Sequence, residues 1–138
     1  MLKETIKLPI IDLDWSEWVL WNDILSVTIP KNSGVYEVKS NDSDQRYTIG
    51  KASDLDIRIR KQLVKEGKKN HSTGKRIRDA IDRSEIDKSK IKIRWALTTR
   101  PSAVEEALHY AHYRKFGSIE GELKFGKIPN YIKNSDSD

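Results

Sequence analysis

The chain has 138 residues, 36% hydrophobic and 34% charged, which suits one domain with a modest core. It has no cysteine, which excludes a disulfide framework and any thiolate metal site and fits a reducing compartment. The net charge is +5, but residues 51 to 100 hold 16 Lys+Arg against 7 Asp+Glu, a mid-chain field that attracts polyanions, although solvated helix faces give the same pattern.

In chain order, acids interrupt the apolar N-terminal stretch MLKETIKLPIIDLDW, which is unlike a signal peptide. No apolar run approaches the roughly 20 residues of a membrane span, so a soluble, cytoplasmic protein with no membrane partner is expected. Residues 1 to 28 read as an extension docked on the core. Asp14 would cap a helix through WSEWVLWNDIL, with Trp15, Trp18, Trp21 and Ile24 at helical spacing. IPKNSG is a turn, GVYEVKS a strand, NDSD a loop and RYTIG a second strand closing a hairpin. Ser53 would cap the next helix, with Asp56 at the capping-box position and Leu55, Ile59 and Leu63 on one face. EGKKNHSTG breaks it. A short helix around KRIRDAI follows, with Ile77, Ala80 and Ile81 inward. IKIRWAL sets Ile91, Ile93, Trp95 and Leu97 against Lys92, Arg94 and Ala96, as a third strand does. Pro101 and Ser102 open a last helix to about Phe116, with Val104, Leu108 and Ala111 as its buried stripe. Residues 135 to 138 read as a disordered tail. The expected fold is α+β: a three-stranded antiparallel or mixed sheet flanked by helices, over residues 29 to 134.

These elements carry a resemblance. SGVYEV, the hairpin, TIGKASDLDIRIR, HSTGKRIRDAI, a glutamate early in the last helix and the tail GKIPNY together resemble the GIY-YIG nuclease superfamily. GKASDLDIRI is similar to its excision-repair members, and HSTGK to its phage and homing-type members. The resemblance implies an endonuclease that hydrolyses a DNA phosphodiester with one divalent cation, Mg²⁺ or Mn²⁺.

It also implies roles. Tyr36 would orient or deprotonate the attacking water, as a phenol whose pKa falls in an electropositive site. A strand tyrosine more often simply packs its ring. Arg58 would fork onto the scissile phosphate. Arg60 lies roughly 200° round an α-helix from it and reads as solvated or as a backbone contact. Glu105 would hold the ion, and a lone carboxylate suits Mg²⁺. Ser102 and Glu105 also have capping-box spacing, which gives the glutamate a purely structural reading. Glu106 should face water. Glu105, His109 and His112 share a helix face, but no fourth ligand makes them a zinc site. In support, Gly50 would let the chain turn from strand to helix beside the substrate. Lys51 and His71 would flank the site and Asn130 would hold the tail, with Asn134 as the other asparagine. DNA would be bound by Lys51, Arg58, Lys61, Lys75 and Arg76.

Two positions depart from the family pattern. Thr48 stands where the second motif tyrosine belongs, with Tyr47 one residue earlier and, by strand parity, on the opposite face unless a bulge re-aims it. Gln62 stands where some members have histidine. A catalytically inactive module of the same fold is therefore the other reading, one that binds nucleic acid or binds protein through the N-terminal tryptophans.

Overall fold

The computed structural model describes residues 13–65 and 72–120. They form an α+β fold around an antiparallel sheet of four strands: β1 (Val19–Leu20), β2 (Gly34–Ser40), β3 (Arg46–Ala52) and β4 (Ile91–Leu97), in the order β1-β4-β2-β3. A 3-10 turn (Trp21–Ser26) follows β1. A π-helix (Ile57–Val64) and helix α1 (Ser72–Asp82) lie between β3 and β4, and helix α2 (Pro101–Glu120) closes the described chain. No helix among the described residues is long and apolar enough to cross a membrane.

Residues directly opposite in the sheet share a face, and the register assigns the two faces. Tyr36 pairs with Gly50 and Trp95, and Val38 with Thr48 and Ile93. This face packs the main core, where Leu55, Ile59, Leu63 and Ile77 from the helices are fully buried with Trp21 and Ile24. Burial of each such aliphatic side chain contributes about 1.5–3 kcal/mol. The other face, through Val35 and Ala96, meets Val104 and Leu108 of α2 together with Leu13 and Trp15. Covered on both sides, β2 is buried along its whole length.

Several expectations are corrected. The sheet has four strands, and the tryptophan segment is not one α-helix: Val19–Leu20 is a strand, and only Trp21–Ser26 is helical, as 3-10. Ser16 donates its backbone N–H to the Trp95 carbonyl at 2.8 Å, its hydroxyl accepts from the Trp95 N–H at 3.0 Å, and Val19 pairs with Ile93. The segment thus completes the open edge of β4, where a helix would leave that edge unpaired. The three tryptophans separate: Trp21 enters the main core, Trp15 packs under α2, and Trp18 lies among cations. In β4, Leu97 is exposed and Ala96 buried, because the α2 layer covers the alanine's face.

The helix after β3 also differs. Its cap is Asp54, whose carboxylate accepts the Ile57 N–H at 3.0 Å, while Asp56 pairs with Arg60 at 2.8 Å. The N–H groups of Leu55 and Asp56 go to the carbonyls of Asn32 and Pro30, so the turn before β2 satisfies donors that a helix start leaves open. Arg60 also donates to the carbonyls of Leu25 and Val27, tying the π-helix to the 3-10 turn. Arg78 of α1 donates to the carbonyls of Gln62 and Leu63, and Gly74 lets α1 come close: a Cβ there would meet the Gln62 carbonyl oxygen at 2.5 Å.

Candidate active site

Tyr36, Arg58, Glu105 and Lys51 come from four elements; the Arg58 and Glu105 charges act on the Tyr36 phenol, and those of Lys51 and Arg58 act on Glu105. Tyr36 rises from the centre of the sheet, and its ring crosses Gly50 on the neighbouring strand. A Cβ on Gly50 would lie 2.4 Å from both the phenol oxygen and the ring carbon that bears it. The expected turn at Gly50 is absent, since β3 runs through it to Ala52. Glycine is needed there because only hydrogen leaves room for the phenol.

The phenol is 2% exposed, and burial pushes its pKa up to about 12. The Arg58 guanidinium opposes that rise and the Glu105 carboxylate adds to it, so both charges act on the phenol. The expected fall in its pKa does not occur. The group is a neutral hydroxyl at ordinary pH, able to donate one hydrogen bond and accept others.

Glu105 is half-buried on α2. Burial holds its carboxyl above the usual carboxylate range, against the Lys51 ammonium and then the Arg58 guanidinium. Lys51 lies on the α2 face of β3, and its Nζ donates to the Ser102 hydroxyl at 2.9 Å, beside the first turn of α2. With Arg100 ahead of Pro101, the third helical residue is Ala103, so Glu105 lies past the capping-box position. Glu106 is exposed.

Arg58 is partly buried on the π-helix, while Arg60 faces Asp56 and the 3-10 turn. Segments of π-helix are rare and recur at functional sites. Thr48 is buried opposite Val38. The next pair is Lys39 with Arg46, so Tyr47 is the extra residue of a bulge, and it packs against the core cluster that contains Tyr36. The bulge has re-aimed Tyr47, as strand parity alone would not.

The remaining candidates are spread out. Lys61 and Arg76 are exposed, on the π-helix and α1 respectively. Lys75 is ion-paired with Asp79 at 2.8 Å and borders a cavity of about 360 Å³ with Trp21, Arg78 and Lys88. His71 and Asn130 lie outside the described residues.

His109 and His112 are 7% and 8% exposed, whereas Ala111, assigned to the buried stripe, is exposed. Burial lowers the pKa of His109 to about 4, against the opposing pull of the Ile49 backbone. His112 Nε2 accepts the Arg46 backbone N–H at 2.9 Å. Their spacing from Glu105, four and seven residues, was the visible signal.

Beyond them, Glu37 is 4% exposed and holds two arginines: Arg94 by its Nε at 2.7 Å, and Arg46 by its Nε at 3.3 Å. The Arg94 guanidinium lies 4.0 Å from the Trp15 ring centre and 4.7 Å from that of Trp18. Cation–π contact thus docks the N-terminal tryptophans on the sheet.

Among the described residues no three metal-ligating side chains gather. Glu105 is a hard oxygen donor whose charge acts on the phenol. That suits an ion such as Mg²⁺, which keeps several waters and takes substrate oxygens as further ligands. Protein-family models, curated proteins and solved structures give no match to the chain.

Proposed function

We propose that the chain is a GIY-YIG-type, metal-dependent DNA endonuclease with Tyr36, Arg58 and Glu105 at its centre. The observation that supports this reading is that the Arg58 charge on the π-helix and the Glu105 charge on α2 both act on the buried Tyr36 phenol of β2. Arg58 binds a non-bridging phosphate oxygen and holds the phosphate beside the phenol. Tyr36, neutral, orients the attacking water by hydrogen bonding and does not act as a phenolate base. The water oxygen bonds to phosphorus as the P–O bond to the leaving sugar oxygen breaks; one water proton passes to solvent and the leaving oxygen ends as a hydroxyl. Glu105 holds the divalent ion, which when bound offsets charge on the phosphate and the leaving oxygen. Lys51, held by Ser102 beside Glu105, contributes positive charge for the same phosphate.

The raised phenol pKa and Thr48 favour a second reading, a nucleic-acid-binding module that does not cut. Incubation of plasmid and branched DNA with the protein and Mg²⁺ or Mn²⁺ separates the two. Cleavage by wild type that disappears in Glu105→Ala supports the nuclease. Salt-sensitive binding without cleavage, unchanged in Glu105→Ala, supports the binding module.

A further inference from the structure

On the α2 face of the sheet, at the end away from Lys51, cations gather round one aromatic ring. Lys39 pairs with both Lys92 and Arg46, and Glu37 pairs with Arg94, so these residues share that face. Val19 pairs with Ile93, which brings Trp18 alongside Arg94. The centre of the Trp18 ring lies 4.7 Å from the Arg94 guanidinium and 5.2 Å from that of Arg46. It lies 5.2 Å from the Lys39 Nζ and 5.5 Å from the Lys92 Nζ. The ring nevertheless stays partly exposed. One carboxylate, Glu37, is shared by Arg94 at 2.7 Å and Arg46 at 3.3 Å, which leaves the two arginines one positive charge in excess. Asp44 pairs with Lys39 at 3.0 Å and, at 3.8 Å, with Lys115. Arg46 and Arg94 also border a cavity of about 210 Å³ with Lys115 and Phe116, and the Lys115 Nζ stands 5.3 Å from the Phe116 ring.

We propose that this patch is a docking surface for single-stranded nucleic acid, with a base stacked on Trp18 and the flanking phosphates on Lys92, Arg94 and Arg46. Five cations against two carboxylates attract a polyanion, and the partly exposed tryptophan among them says which kind. An acidic peptide uses the cations and leaves the ring without a partner. Each nucleotide of a single strand carries both a phosphate and a flat base, and every base has a π-face that stacks on an aromatic ring. In a duplex those faces are already stacked on one another, so a single strand fits and a duplex does not. Roughly 15 Å of strand separates Arg46 from Lys51 along β3. The patch shares no residue with Tyr36, Arg58 and Glu105, so it binds whether or not the chain cuts DNA.

Fluorescence anisotropy tests this with a labelled oligothymidylate of about 12 nucleotides, in EDTA so that no cleavage intervenes. An abasic oligomer of the same length and charge is the comparison. Wild type should bind oligothymidylate at least about fivefold more tightly than the abasic oligomer, the lower end of what one stacked base gives. Trp18→Leu should erase that margin and keep the affinity for the abasic oligomer. Lys92→Ala should weaken both oligomers at least about threefold and reduce the salt slope by about 0.7, the share of one phosphate contact on a single strand. Equal affinity of wild type for the two oligomers overturns the proposal, as does an unchanged margin in folded Trp18→Leu. Polyglutamate of equal charge bound as tightly as oligothymidylate also overturns it, in favour of an acidic protein partner. If Trp18→Leu does not fold, the wild-type margin and Lys92→Ala decide, and both affinities unchanged in Lys92→Ala then overturn it. Failure to cut DNA bears on the nuclease reading alone, because binding is measured without the metal.

Discussion

The Tyr36 phenol occupies the space that a side chain at Gly50 would fill, with its oxygen 2.4 Å from where a Cβ would stand. Gly50→Ala must therefore displace the ring or the strand. It should cost about 1–3 kcal/mol, the usual range for overpacking. Tyr36→Ala should abolish that particular cost, so the double variant should be less destabilised than the sum of the two singles by at least about 1 kcal/mol. Urea unfolding of the four proteins tests the coupling, and additive costs would refute the contact.

The same phenol should leave an alkaline signature. Its pKa is about 12 when folded and about 10 when unfolded, so the native state keeps a proton that the unfolded chain loses. The associated stability is complete below pH 10 and falls as pH rises toward 12, by about 2–3 kcal/mol in all. Tyr36→Phe should remove this part of the pH dependence. If the nuclease reading holds, Tyr36→Phe should also lose cleavage at pH 8 while remaining folded, and no gain in wild-type rate should track phenol ionisation between pH 9 and 10.5.

At the acid end the sign reverses for His109. Folded, it titrates near 4; unfolded, near 6.5. Below 6.5 the unfolded chain takes up a proton that the native state refuses, so stability falls between about pH 6.5 and 4, by about 3 kcal/mol. His109→Gln should flatten this slope. Equal slopes in wild type and His109→Gln would show that the histidine is not buried neutral.

How much of this was legible in the sequence depends on the kind of signal. The period-2 pattern of IKIRWAL placed β4, and the strand–turn composition placed the β2–β3 hairpin. Helical phase put Arg58 and Arg60 on different sides, and they do face different partners. The three-residue spacing of the tryptophan segment is realised only in the 3-10 helix Trp21–Ser26, while its first half is drawn out along the sheet. What decides its conformation is the unpaired edge of β4, a tertiary fact. The bulge at Tyr47 left no mark in the residue types, and the π-helix differs from an α-helix by one hydrogen-bond step that periodicity over eight residues does not resolve. Helical spacing also does not reveal why a histidine is buried: His112 takes the Arg46 N–H of an edge strand, a tertiary partner.

Glu37 tests the second layer of the fold. Its side chain is 6% exposed, between Arg94 and Arg46 at 22% and 16%. Removing one member of a buried charge group costs more than the group contributes intact, because the remaining charges are left uncompensated. Glu37→Ala should cost about 3–5 kcal/mol in urea unfolding. Glu37→Gln, which keeps an acceptor but not the charge, should cost less. A loss below about 1 kcal/mol in Glu37→Ala would show that the arginines find solvent.

Arg58 and Arg60, two residues apart on the π-helix, make opposite predictions. Arg60 bonds Asp56 and the carbonyls of Leu25 and Val27, so Arg60→Ala frees acceptors that are part-buried or exposed and loosens the tie to the 3-10 turn. Its cost should be about 2–3 kcal/mol, since hydrogen bonds to a charged donor are the stronger kind. Arg58 acts on Tyr36 and Glu105 through its charge. Arg58→Ala should therefore change stability by less than about 1 kcal/mol, while weakening salt-sensitive DNA binding and, on the nuclease reading, removing cleavage. Arg58→Lys should keep part of the binding and little of the cleavage, because an ammonium lacks the two-pronged geometry that fits a phosphate. Thermal melts and DNA titrations of the three variants give both quantities. The assignment of the two arginines fails if Arg60→Ala impairs DNA binding at unchanged stability while Arg58→Ala does not.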